Sequence, residues 1–442
     1  MRYKIPIPVT IELKLDNVVL GDIFSVSIAG SRAFTASDFV QKGYNHEHYC
    51  STNGETPFCQ RATKIRTVDL SKEEDIQIAA HRGVWGEYDN ENTISAFIAA
   101  KNFAVTSTEN IFLLESDLVP YGPVSLDSTN SNFLKPEGLI CSHDFPLDRF
   151  ADYAPETYVY NLSRNQIAGK RVRKPRSSEL SQDNIMFFDE LLEFVKQNDM
   201  MVCADVRELY PRRPLSSTGE ALSQVCEIPA LCVLDKGNNK QKSLAFNVKN
   251  AIETARSSGA LKNLIIKTYY SYTEVRRQLV DVAGMDQSYF NKILWIPMLS
   301  PNNSFLRAGS TTDYDPRKFQ LWLDGWFAHN DAVLYYETNF RTDTGNQTGL
   351  LCQDVFPFFE GTTQKWGSAM EYIVKVAGRR PGIFGEEPIG SKGVVDRWGR
   401  WILKYPADDR RTDHIWLFTK PFMKYAVYTT DRPDIWKQFK NN

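Results

Sequence analysis

The 442-residue chain contains no uninterrupted apolar stretch of the length a bilayer-spanning helix needs, which excludes the simplest kind of integral membrane protein. It has no surplus of either charge. With 52 Lys and Arg against 54 Asp and Glu there is no bulk field for nucleic acid or an anionic membrane, so a small molecule is the expected partner. No serine or cysteine sits in a nucleophile-elbow pattern, which argues against a serine or thiol hydrolase. The seven cysteines, an odd number, form no spaced framework. Cys141 and Cys203 lie inside apolar runs and read as buried free thiols, while Cys50 with Cys59, and Cys226 with Cys232, stand close enough to pair in an oxidising compartment. Internal repeats and low-complexity tracts are absent too. The opening residues, MRYKIPIPVTIELKLD, lack the apolar core and cleavage site of a secretory signal, so the cytoplasm is the default compartment, with secretion the alternative for a mature form.

Residues 1–72 are rich in β-branched alternation and read as a small β-rich extension. Its loop with His46, His48, Cys50 and Cys59 fits no standard zinc spacing and is read as packing. From residue 73 to 442 strand-like and helix-like segments alternate. Apolar strands run through IQIAA, IFLL, GLICS, MMVCA and LIIKT, then ILWIPML (293–299), AVLYYET (332–338) and KYAVYTT (424–430). Helical spacing follows several of them, as in Ile94, Phe97 and Ile98, in Leu244, Val248, Ala251, Ile252 and Ala255, and in Val275, Leu279 and Val282. Eight strands with intervening helices close most simply as an α/β (β/α)8 TIM barrel. Insertions are expected near 118–137, 207–242 and 339–423, at the chemical end, and the last includes a helix-like stretch from Trp366 to Ala377. The basic run Lys170 to Arg176 (KRVRKPR) reads as a solvated loop, with a contact to anionic lipid or phosphate as the alternative, and the sequons at Asn161, Asn302 and Asn346 carry no weight alone.

Four of the apolar runs end on ionisable residues. IQIAA stops at His81, IFLL at Glu115 with Asp117, GLICS at His143, and MMVCA at Asp205. Buried parallel strands read as continuous apolar runs, and barrel chemistry gathers where strands end, so these four endings predict one site built by four consecutive strands. Glu115 and Asp117, two apart, share a strand face, and Arg207 lies two residues beyond Asp205. Three crowded carboxylates repel one another unless a cation neutralises them, and oxygen-only ligation favours Mg²⁺ or Ca²⁺ on Glu115, Asp117 and Asp205. His81 and His143 flank the cluster as a general base and general acid, in either order. Arg82 and Arg207, and more weakly Lys267, suit non-bridging phosphate oxygens.

The segment HRGVWGEYDNENTISAFIAA from His81 to Ala100 resembles the signature of the glycerophosphodiester phosphodiesterase family. The resemblance continues through ESD at 115–117, HDFPLDR at 143–149 and TTDRP at 429–433. It implies a (β/α)8 barrel, one divalent metal on Glu115, Asp117 and Asp205, acid-base work by His81 and His143, and phosphate contact by Arg82. Glu91 and Asn92 of the ENT segment would brace the first loop. The chain departs from the family pattern at Asn90, where proline usually precedes ENT. It departs again at Asp205 and Arg207, where Glu and Lys are usual, and Asp at that position looks more like sphingomyelinase D-type phospholipases. The stretch from Asp117 to His143 is also longer than the family's spacing.

The expected reaction is hydrolysis of a glycerophosphodiester such as glycerophosphocholine to an alcohol and a phosphomonoester. Two rivals stand beside it. One is a phospholipase D-type enzyme acting on phospholipid or lysophospholipid headgroups, with peripheral contact to a membrane; the other is an inactive barrel serving as a binding or delivery protein.

Overall fold

The computed structural model describes residues 77–84, 90–104, 110–154 (save 144–146 and 149), 157–174, 179–209, 238–299, 315–340, 358–379 (save 367 and 368), 381–385 and 426–430, with single positions at 62, 65, 394, 395, 401, 402 and 433. The β-rich reading of the first 72 residues, the two close cysteine pairs, and the sequons at Asn302 and Asn346 lie outside these residues. Ala62 and Ile65, both fully buried, join the apolar cluster that includes Ala79, Leu113 and Val427.

Among the described residues, eight strands pair in parallel and close on themselves. Numbered along the chain, β1 is Gln77–His81, β2 Leu113–Tyr121, β3 Gly138–Cys141, β4 Met201–Val206 and β5 Leu264–Thr268. β6 is Leu294–Leu299, β7 Tyr336–Phe340, β8 Pro381–Gly385 and β9 Val427–Thr430. The barrel order is β1-β2-β4-β5-β6-β7-β8-β9, and β9 returns to β1 with Gln77 opposite Val427. Side chains alternate across this wall. Ala79, Leu113, Cys203, Ile265, Ile296, Tyr335 and Val427 fall in one cluster inside it, whereas Ala80, Leu114, Ala204, Ile266 and Trp295 pack with the surrounding helices.

The (β/α)8 architecture is as expected, but two strands are not those read from the sequence. GLICS, β3, is no barrel stave: it runs antiparallel to the upper half of β2, with Leu118 opposite Cys141 and Tyr121 opposite Gly138. Asp205 therefore stands on the third stave, since β4 pairs directly with β2. The missing stave is β8, PGIFG, inside the stretch 339–423 that was read as one long insertion. A short apolar run carries no mark of parallel or antiparallel pairing, and a run opening Pro-Gly and closing on Gly looks like a turn. Close packing explains the composition: a Cβ on Gly382 would meet the Tyr335 ring at 2.5 Å.

The helices form where local signals and apolar spacing agree. Helix α1, Ile94–Asn102, is capped by Thr93, whose side chain accepts from Ala96 N–H. Helix α2, Phe188–Gln197, has Glu190 accepting the Phe187 N–H, and α3, Asn239–Ser257, buries Ala245, Val248, Ala251, Ile252 and Ala255. Helix α4, Tyr272–Arg276, runs on into a wider π-type turn, Arg277–Val282. The 118–137 stretch extends β2 and then returns as β3, and a satellite core that includes Val119, Ile140, Leu147, Phe150 and Val159 lies under it. Within the basic run, Arg171 to Arg173 form a strand and not a loop. Arg171–Arg173 pairs with Leu180–Asn184, and the Arg171 and Arg173 guanidinia donate to the carbonyls of Ser181 and Ala151 at 2.5 and 3.1 Å.

The turn after β1 has little freedom. Gly83 sits at φ 89°, and a Cβ there would lie 2.7 Å from the backbone of Ala96 in α1. Gly83→Ala is expected to lose about 2–4 kcal/mol in chemical denaturation, strain and collision together. Gly169→Ala, at φ 74° with nothing within 4 Å, should lose only about 1 kcal/mol by the same measurement. Equal losses at the two positions would contradict this account.

Candidate active site

The register of the barrel sets the site in two tiers. His81 stands opposite Glu115, and one turn of the pleat higher Asp117 stands opposite Asp205. All four belong to inward-facing rows, at the ends where the staves leave their apolar cluster. Inside the mouth His81, Glu115 and Asp117 are buried, while His143 is partly exposed.

In the lower tier the ammonium of Lys267, from β5, is completely buried between two carboxylates. It donates to Glu115 Oε2 at 2.5 Å and to Glu337 Oε1 at 2.6 Å. Glu337, on β7, also accepts from the Thr429 hydroxyl at 2.9 Å. Burial, seconded by Glu337, pushes the Glu115 carboxyl up to about 7 although Lys267 and His81 pull the other way. The His81 Nε2 lies 4.0 Å from Glu115 Oε1.

The upper tier is built around Asp117. Arg207 donates to its Oδ1 through Nη2 at 2.7 Å and Nε at 3.2 Å, and reaches Asp205 Oδ2 at 3.4 Å. Arg82 Nε comes within 2.7 Å of Asp117 Oδ2. Burial works against the Asp117 charge, but Arg82, then Arg207, outweigh it and hold the carboxyl well below the usual carboxylate range. The same two carboxylates raise the pKa of Arg207 against its own burial, so its cation persists.

The ENT segment packs against this arrangement. Arg82, at φ 61°, donates its Nη1 to Glu91 Oε2 at 2.5 Å and its backbone N–H to the Glu115 carbonyl at 2.8 Å. Asn92, at φ 56°, donates its N–H to the Arg82 carbonyl and accepts from the Ser116 hydroxyl at 2.9 Å. Glu91 and Asn92 thus fix the first loop to β2. His143 arrives by a different route from that expected. The β2–β3 hairpin continues one residue through Ser142, whose N–H donates to the Asp117 carbonyl at 3.0 Å, and after the two arginines His143 and His81 also act to lower the Asp117 pKa.

The chain therefore gathers His81, Arg82, Glu91, Asn92, Glu115, Asp117, His143, Asp205, Arg207 and Lys267 at one end of the barrel. Glu337 was not singled out from sequence, although it ends the apolar run VLYY as Glu115 ends IFLL. The divalent ion inferred from the three carboxylates finds a partial fit. Asp117 and Asp205 face each other on adjacent staves, although Asp117 Oδ2, buried and outside hydrogen-bond geometry, already lies 2.7 Å from Arg82 Nε. Glu115, one tier lower, is engaged by Lys267, and among the described residues no three His, Cys, Asp or Glu side chains stand together as a ligand set. The place between Asp117 and Asp205 is taken by the Arg207 guanidinium.

No family model matches the chain, and no curated protein matches it in sequence. Solved structures similar to it include a candidate glycerophosphodiester phosphodiesterase of Galdieria sulphuraria, 11% identical with a TM-score of 0.41, over 83% of this chain and 98% of that one. A candidate glycerophosphoryl diester phosphodiesterase of Silicibacter pomeroyi is 11% identical with a TM-score of 0.41, over 82% and 92%. An Oleispira antarctica phosphodiesterase in complex with the product sn-glycerol-3-phosphate is 12% identical with a TM-score of 0.40, over 83% and 97%. At these values the likeness is a loose one of chain course, and the site rests on its own geometry.

Two outcomes follow from the tiers. Lys267→Met leaves two buried carboxylates facing each other and should cost about 3–5 kcal/mol in denaturant unfolding, part of which returns when Glu115 and Glu337 are both made Gln. An unchanged midpoint would refute the lower tier. Arg207→Ala removes the cation that competes for Asp117 and Asp205, so Mn²⁺ titration followed by electron spin resonance should give at least about tenfold tighter binding than in the natural chain. Equal or weaker binding would contradict that competition.

Proposed function

We propose that the chain is a phosphodiesterase that hydrolyses a glycerophosphodiester, such as glycerophosphocholine, to an alcohol and a phosphomonoester. The observation that carries this reading is the pairing of two histidines from separate elements with two guanidinia around a single buried carboxylate, Asp117. Arg82 and Arg207 both stand against Asp117, and a guanidinium fork suits the non-bridging oxygens of a phosphate. The motif resemblance supports the same reading residue by residue.

In the proposed step His81, steadied by Glu115, accepts a proton from a water that attacks phosphorus. A P–O bond forms to that water oxygen as the bond to the substrate alcohol breaks, and His143 gives its proton to the departing oxygen. His143, just beyond the end of β3 at the open base of the hairpin and partly exposed, suits the side where the alcohol leaves. Arg82 and Arg207 hold the phosphoryl oxygens as negative charge gathers on them. Lys267 acts below them: its contacts to Glu115 and Glu337 keep the floor of the site neutral enough for an anion to enter. A divalent ion, Mg²⁺ or Ca²⁺, would be held by Asp117 and Asp205 with Glu115 recruited from Lys267, and would supply further neutralisation of the phosphate.

Phosphomonoester release from glycerophosphocholine tests the reading, run with added Mg²⁺, with added Ca²⁺ and with chelator. His81→Ala and His143→Ala should each lower kcat by about 10²–10⁴-fold in whichever condition supports turnover. Release that survives both substitutions would refute the assignment.

A further inference from the structure

Past the end of β5 the inward row of the barrel wall carries one more polar group, which the proposed step leaves idle. Ile265 and Lys267 face inward from that stave, and Tyr269, two residues past Lys267, continues their row. The register of β5 against β4 sets Cys203 opposite Ile265, so the same count brings Tyr269 level with Arg207. The side chains agree with the count. Tyr269 lines one cavity of about 470 Å³ together with Asp205, Arg207 and Lys267, and with 39% of its surface exposed it stands at the mouth and not in the wall.

Its position is fixed from the residues that follow. The Tyr270 N–H donates to the Thr268 hydroxyl at 3.2 Å, the Tyr270 carbonyl accepts from the Trp326 indole at 3.1 Å, and Ser271 caps α4 by accepting from the Glu274 N–H. Tyr269 therefore projects from a pinned turn. Among the described residues its hydroxyl has no hydrogen-bond partner, although the charges of Asp205, Arg207, Lys267 and Glu337 all act on it. Withdrawal from water, then Asp205, pushes the phenol above its ordinary value, so the O–H persists. An anion seated on Arg207 would supply the acceptor that it lacks. A neutral donor also suits a site that already carries Arg82, Arg207 and Lys267, because it adds a hydrogen bond to a phosphoryl oxygen without adding another repelling cation.

We propose that Tyr269 is a phosphate-binding group beside Arg82 and Arg207, donating its hydroxyl to a phosphoryl oxygen of the anion seated there. The proposal rests on the reading of the site as a phosphodiester site and adds a residue to it.

Tyr269→Phe removes the hydroxyl and keeps the ring. Titrated calorimetrically with inorganic phosphate, the full chain carrying this change should bind about tenfold more weakly than the natural one, the loss expected for a hydrogen bond to a charged group. Its melting temperature should not fall, because the hydroxyl serves no protein acceptor among the described residues. Tyr270→Phe makes the same change one residue on, where the charges acting on the hydroxyl are those of Glu208 and Glu274, and should keep phosphate affinity within about twofold. An undiminished affinity in Tyr269→Phe, a lowered melting temperature in that variant, an equal loss in Tyr270→Phe, or no phosphate binding by the natural chain would each overturn the proposal. Release from glycerophosphocholine separates it from the hydrolytic reading. A loss of phosphate affinity confined to Tyr269→Phe, in a chain that hydrolyses no diester, would uphold the hydroxyl and sink that reading. Release by the natural chain, with phosphate affinity and turnover both unchanged in Tyr269→Phe, would do the reverse.

Discussion

The ion pairs of Asp117 hold the mouth of this barrel together. A fully buried carboxylate survives as an anion only because Arg82 approaches from the first loop and Arg207 from beyond the third stave. Each arginine is then fixed by something else. Glu91 grips Arg82, Asn92 ties the same loop to Ser116, and Asp205 holds the far side of Arg207. Loss of Asp117 would leave two cations crowded without their counter-charge, and the first loop, β2 and β4 would lose the contact they have in common.

Much of this was legible in the sequence because it follows strand period and residue type. Ending an apolar run on His81 or Asp205 places the side chain inside the barrel mouth, and the two-residue spacing of Glu115 and Asp117 places both there. The role of ENT was legible only through resemblance, because the left-handed backbone at Arg82 and Asn92 leaves no periodic trace. Three things were hidden. β3 has the composition of a barrel strand but pairs antiparallel, β8 is disguised by its glycines and proline, and Glu337 acts through Lys267 rather than through a motif. Pairing direction and charge partnership are set by contacts distant in the chain, which composition does not encode.

The hairpin matters for more than the strand count. Because β3 folds back along β2, the Ser142 N–H donates to the Asp117 carbonyl and His143 follows beside it, and the long spacing from Asp117 to His143 is accounted for by a built wall with its own apolar core. The opposite wall, past Arg207, is the pocket beside α3 and α4. The lower tier of Glu115, Lys267 and Glu337 closes the floor between these two sides.

The central claim is that one anion seated at Arg82 and Arg207 is within reach of both imidazoles. Nitrogen-15 NMR of the histidine side chains, assigned by single substitutions and followed during titration with sn-glycerol 3-phosphate, tests it directly. The account predicts that the ring signals of His81 and His143 shift together along one binding curve, and that the curve vanishes when both Arg82 and Arg207 are changed to Gln. A titration that moves neither ring, or only one of them, would contradict it.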